Sequence, residues 1–62
     1  MSPVTGKEMS KLLKKHGWTK VRQKGSHHHF YKEGSKIIVP VHGNRDLKKG
    51  TEQTILKDAG LK

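Results

Sequence analysis

The spacing of two glycine–serine pairs limits the fold of this chain more than any other feature. Gly25-Ser26 and Gly34-Ser35 interrupt a stretch from Trp18 to Val41 that is otherwise rich in β-branched and aromatic residues. Thr19, Val21, Phe30, Tyr31, Ile37, Ile38, Val39 and Val41 are all types that favour a pleated, half-buried strand. The pairs leave three pieces of strand length, roughly 18–24, 27–33 and 36–41. Links this short cannot hold a crossover, so successive pieces must pair as antiparallel neighbours in a meander. Pro40 cannot donate a ladder hydrogen bond, which predicts that the third strand lies at an edge.

The flanks carry a different period. Thr5-Gly6-Lys7-Glu8 has the form of a capping box, and Met9, Leu12, Leu13 and His16 follow at the spacing of one helical face. Gly17 stands where a helix end needs positive φ, so a first helix is predicted from about Thr5 to His16. A polar loop, His42 to Gly50, follows the strands. A second helix is then predicted with Thr51 as its cap, Glu52 in its first turn and Ile55, Leu56 and Ala59 as its apolar face. Gly60-Leu61 reads as a Schellman ending. The order is αβββα, an α+β fold with a three-stranded antiparallel sheet, both helices on one face and the other face open.

Sixty-two residues suffice for a single domain, taken as 1–62. With 29% hydrophobic residues and three aromatic side chains, there is material for one modest core and none for a deep enclosed pocket. Chemistry is therefore expected on a surface, against a large substrate. Fourteen Lys and Arg against five Asp and Glu give a net charge of +9. That excess repels itself in a compact chain and is best matched by a polyanion, with an acidic protein or membrane surface as the competing partner. The absence of cysteine excludes disulfides and thiolate metal sites. No stretch approaches the ~18 apolar residues of a membrane span, and Met1-Ser2-Pro3-Val4 lacks a leader's apolar run. A cytoplasmic location is expected.

Several of these residues, taken in order, are similar to one family. Helix, Gly17-Trp18, a basic strand, Lys24-Gly25-Ser26-His27, Val39-Pro40-Val41-His42, Leu47, Gly50-Thr51 and Ala59-Gly60-Leu61 closely resemble the HicA toxins of HicA–HicB toxin–antitoxin systems. No one of these motifs is specific. Their order and spacing over residues 5 to 61 are. The resemblance implies a fold like the double-stranded-RNA-binding domain, metal-independent cleavage of mRNA with arrest of translation, no cofactor, and a HicB-like antitoxin as partner. It also implies that the histidine after Gly-Ser, here His27, is catalytic.

The residues themselves support a weaker version of that site. Histidine titrates near neutral pH, so an exposed one can move a proton to or from RNA, which carries its own 2′-hydroxyl nucleophile. Small residues at Gly25 and Ser26 would let a phosphate approach the backbone. Without the family, a polar residue at a strand end is the better reading of His27. Strand alternation puts His27, His29 and Tyr31 on one face and His28, Phe30 and Lys32 on the other, so a core Phe30 turns His27 outward. His29 flanks it, and His42 could approach if strands two and three pair. A metal on His27 and His29 would have no carboxylate or cysteine nearby to complete its shell, so no metal site is expected. A tag remnant is argued against by the direct run into Phe30-Tyr31.

Arg22 and Lys24 adjoin the turn, while Arg45, Lys48 and Lys49 crowd the start of the second helix; these five are predicted to contact phosphates. The lysines of helix one are expected to be a solvated face, His16 to pack or cap, and Trp18 to belong to the core. The alternative to a nuclease is a non-catalytic RNA-binding module of the same fold. A plain interaction subunit for an acidic partner is a third.

Overall fold

The computed structural model describes residues 4–62; Met1 to Pro3, part of the stretch read for a leader, lie outside the described residues. The chain runs α1 (Gly6–Lys15), β1 (Thr19–Lys24), β2 (His27–Lys32), β3 (Ser35–Pro40) and α2 (Lys49–Asp58). The three strands form one antiparallel sheet in the order β1-β2-β3, so β3 and its Pro40 stand at an edge. This is the αβββα arrangement of the double-stranded-RNA-binding domain.

α1 starts as its capping box dictates. The Thr5 hydroxyl accepts from the Glu8 N–H at 3.1 Å, and the Glu8 carboxylate accepts from the Thr5 N–H at 3.0 Å. It ends in a Schellman pattern around Gly17 (φ +92): the Gly17 N–H donates to Lys14 and the Trp18 N–H to Leu13. His16 is the C-cap, exposed, and what it offers is its backbone carbonyl, which accepts from Lys32 Nζ at 2.8 Å. α2 ends as predicted, with Gly60 at φ +73 and the Leu61 N–H donating to Leu56 at 2.9 Å.

Its start differs from expectation. The Glu52 N–H already donates to the Lys48 carbonyl at 2.9 Å, so the helix begins at Lys49. Lys48 is the N-cap with no side-chain bond, and Thr51 lies inside the first turn. Gly50 can join the helix because nothing obliges it to break there: it does not take positive φ. The second hairpin turn also moves by one residue. Glu33 (φ +46) and Gly34 (φ +84) both take positive φ, the demand of a type I′ turn, which leaves Ser35 to open β3 opposite Lys32. At the first hairpin only Gly25 (φ +58) does so, as a type II′ turn requires of its first central residue.

Phe30, Ile37 and Val39 share one sheet face and close the core with Met9 and Leu13 of α1, Ile55 of α2, Trp18 and Leu47. Both helices therefore lie on that face. Trp18 is buried, as predicted, with no partner for its indole N–H. The opposite face is uncovered, and the large exposed hydrophobic residues Val21, Tyr31 and Ile38 belong to it or to its margin.

Candidate functional site

Cross-strand pairing fixes what stands on the open face. His27 is opposite Lys24 on one side and Pro40 on the other; His29 is opposite Arg22 and Ile38; Tyr31 is opposite Thr19 and Lys36. Directly opposed residues point to the same face, so the central strand carries His27, His29 and Tyr31 in a row. The outer strands place Arg22 and Lys24 along one flank and Lys36 along the other.

That arrangement depends on a β-bulge. The register slips between Lys20, opposite Phe30, and Arg22, opposite His29, which makes Val21 the extra residue. Without the slip Arg22 would pair with His28 and turn toward the helices. The bulge reverses the parity and brings Arg22 and Lys24 to the histidine side. Val21 carries no mark of this role in the sequence, because valine is an ordinary strand residue.

His27 is exposed at the mouth of the Gly25-Ser26 turn. His29 is half-buried, and its Nδ1 is shielded from solvent without a hydrogen-bond partner. Burial, and then the positive charges of Lys36, Arg22, His27 and Lys24, hold its pKa below the usual 6.5. A second imidazole, less readily protonated than an ordinary histidine, therefore stands about 7 Å along the strand from His27.

His42 sits elsewhere. The Val41 N–H donates to the Ser26 carbonyl at 2.7 Å, carrying the β2–β3 ladder one step beyond Pro40. The chain then leaves the sheet, and His42 lines a depression of about 310 Å³ with Pro40, Arg45, Asp46, Lys48 and Thr51. Pro40 is common to both places, facing His27 across the ladder and walling the depression. Thus Arg22, Lys24, His27 and His29 form one group, and His42, Arg45 and Lys48 a second beside it. Lys49 is exposed in the first turn of α2 and joins neither.

His28 is on the helix-packed side, in a cleft of about 230 Å³ with Ser10, Lys7, Lys11, Lys14 and Lys20. Burial, then Lys20 and Lys14, hold its pKa below 6.5. The α1 lysines were expected to be a merely solvated face. All four are exposed, and Lys7, Lys11 and Lys14 also line this cleft, a convergence that needs β1 folded against α1. Among the described residues no three His, Asp or Glu side chains are placed to hold an ion, and no helix is long and apolar enough to cross a membrane.

Residues 6–61 match the family described as HicA toxin of bacterial toxin-antitoxin. Comparison with curated proteins returns no significant match.

Proposed function

The chain belongs to the HicA toxin family, and from that premise we propose that it is a ribonuclease that cuts mRNA without a metal and so arrests translation. The observation that carries this is the exposed His27 on an open, cation-flanked face, with a second histidine, His29, on the same side of the same strand.

The chemistry follows from what RNA brings. One imidazole takes the 2′-hydroxyl proton, the freed oxygen attacks phosphorus, and the P–O5′ bond breaks as a 2′,3′-cyclic phosphate forms. The departing O5′ takes a proton from a second group. His29, its pKa held below the usual value by burial and the surrounding cations, suits the first task; His27, exposed at the strand start, suits the second. Arg22 and Lys24 would hold the phosphate and stabilise its added charge, and the Gly25-Ser26 turn would let it come close. Each proton transfer is typically worth ~10²–10⁴-fold in rate. His42 is the alternative second histidine, reached across Pro40. In that case Arg45 and Lys48 would bind the neighbouring phosphate, and Lys49, outside that depression, would at most meet the chain farther along.

Membership in the family implies a HicB-type antitoxin as partner. Covering the His27 face would be the direct way for it to block the reaction.

The test is cleavage of a labelled mRNA by His27→Ala, whose exposed position should leave the fold intact by circular dichroism. Loss of at least ~10²-fold in rate is expected, with wild-type cleavage unaffected by EDTA. A folded His27→Ala with full activity would refute the proposal. Purified wild-type protein that binds RNA without cutting it would establish the binding-module alternative.

A further inference from the structure

The open face has more on it than a proton-transfer site needs. Tyr31 is 48% exposed on the central strand, four residues beyond His27 and on the same side, about 13 Å away. Ile38, 45% exposed, lies diagonally beside it next to His29. Together Tyr31 and Ile38 set an aromatic ring and an aliphatic side chain among the cations of this face. The strands around it carry charge of one sign: Lys36 faces Tyr31 from β3, Arg22 and Lys24 line β1, and the carboxylates nearby stand off the strands, Glu33 in the β2–β3 turn and Asp58 on α2 in the hollow lined by Lys36 and Ile38.

We infer that this face is a platform for single-stranded RNA, on which Tyr31 stacks an unpaired base a few nucleotides from the bond at His27. The rings stand in file on the central strand and the cations on both flanking strands. A base can therefore lie on Tyr31 while the sugar–phosphate chain runs past the histidines and meets the cations. Duplex RNA fits the same surface poorly. Its bases stay inside the helix, it offers a protein mainly phosphates and 2′-hydroxyls, and a tyrosine ring would gain nothing from it. A protein partner would cover the apolar residues, but it would need acidic groups for Arg22, Lys24 and Lys36. A phosphate chain supplies that complement along its whole length. The fold belongs to a class associated with duplex RNA, yet the uncovered sheet face of this chain is equipped for a single strand.

The inference rests on RNA as the substrate but not on His27 as the catalyst, so the two can fail separately. Binding is measured by fluorescence anisotropy with a labelled single-stranded oligoribonucleotide made uncleavable by 2′-O-methylation, against a duplex of the same length. Tyr31→Ala should weaken single-strand binding by about 5- to 100-fold, the range of base–aromatic stacking. Tyr31→Phe and Tyr31→Trp should restore it, and duplex binding should be weak and indifferent to all three. Unchanged single-strand affinity in Tyr31→Ala would overturn the inference, whatever His27→Ala does to cleavage. So would loss of antitoxin binding with RNA affinity intact, which would make the face a protein interface. If Tyr31→Ala does not fold, the wild-type Tyr31 ring resonances decide: they must shift on adding the oligonucleotide, and resonances that stay in place reject the platform.

Discussion

Gly6 is the first residue of α1, and an added methyl group there would meet backbone rather than space. A Cβ at this position would lie 2.5 Å from the Pro40 carbonyl oxygen, 2.9 Å from Val41 Cα and 3.0 Å from Val41 Cγ2. Neither side can easily yield. Val41 is held by its N–H bond to Ser26 at 2.7 Å, and α1 is pinned by its capping box and by the Leu47 N–H to Val4 bond at 2.7 Å. In Gly6→Ala two effects of opposite sign compete. Alanine gains about 0.4–1 kcal/mol over glycine through the unfolded chain. Forcing packed backbone apart costs typically 1–3 kcal/mol, and more when no flexible side chain can absorb the shift. The clash should win by about 1–2 kcal/mol.

For a domain of this size each kcal/mol moves Tm by about 4–8 °C, so a fall of roughly 5–15 °C is expected. The buried Trp18 provides the fluorescence probe for thermal and urea unfolding. Gly50→Ala supplies the comparison. Gly50 is also near a helix start, but nothing lies within 4 Å of its Cβ position, and there the same substitution should be neutral or stabilising by up to about 1 kcal/mol. The strain in Gly6→Ala should also appear where it is borne, as amide shifts at Ser26 and Val41 beside His27. If Gly6→Ala is as stable as its parent, or if Gly50→Ala loses as much, the close approach of α1 to the end of β3 does not govern this position.

Two further predictions concern charge. His28 and His29 are both held below the ordinary pKa of 6.5 in the folded protein, so the unfolded chain binds more protons as pH falls. Stability should therefore be full above about pH 7 and decline as pH drops through 6.5 and below. His28→Gln should show a shallower decline in Tm between pH 7 and 5, and a decline as steep as the parent's would contradict the placement of His28. Single-strand binding should weaken with salt, and Arg22→Ala should flatten the slope of log K against log salt by about 0.7, the share of one phosphate contact. An unchanged slope would mean that Arg22 does not reach the RNA backbone.

Most of the scaffold was legible because its signals are local. Thr5 and Glu8 cap their own helix, Gly17 and Gly60 close theirs, and the glycine–serine pairs mark both hairpins within one residue. The alternation of His27, His29 and Tyr31 against Phe30 is equally local, and the structure keeps it. The start of α2 was misjudged because Thr51 is a good cap residue by type. In the fold the Lys48 carbonyl already accepts the first helical bond, from the Glu52 N–H, so Thr51 falls inside the first turn and its hydroxyl is not used as a cap. Likewise His42 could be placed near or away from His27 only once the loop's course was known.

The composition of the working face was the least legible part, since it depends on counting rather than on residue type. The basic residues of β1 could have faced either way, and one surplus residue, Val21, decides that Arg22 and Lys24 join the histidines while Lys20 turns to α1. A net charge of +9 makes a polyanion the expected partner without indicating where it would bind. The bulge settles the β1 share of that charge: Arg22 and Lys24 join Lys36 around the rings of the open face, while Lys20 joins Lys7, Lys11 and Lys14 around His28 on the other. His27 and His28 are adjacent in sequence, yet each faces a different one of these fields. The exposed aromatic ring and the His27–His29 pair lie on the first, which is why that surface, and not the more numerous lysines of the second, is the one assigned to the chemistry.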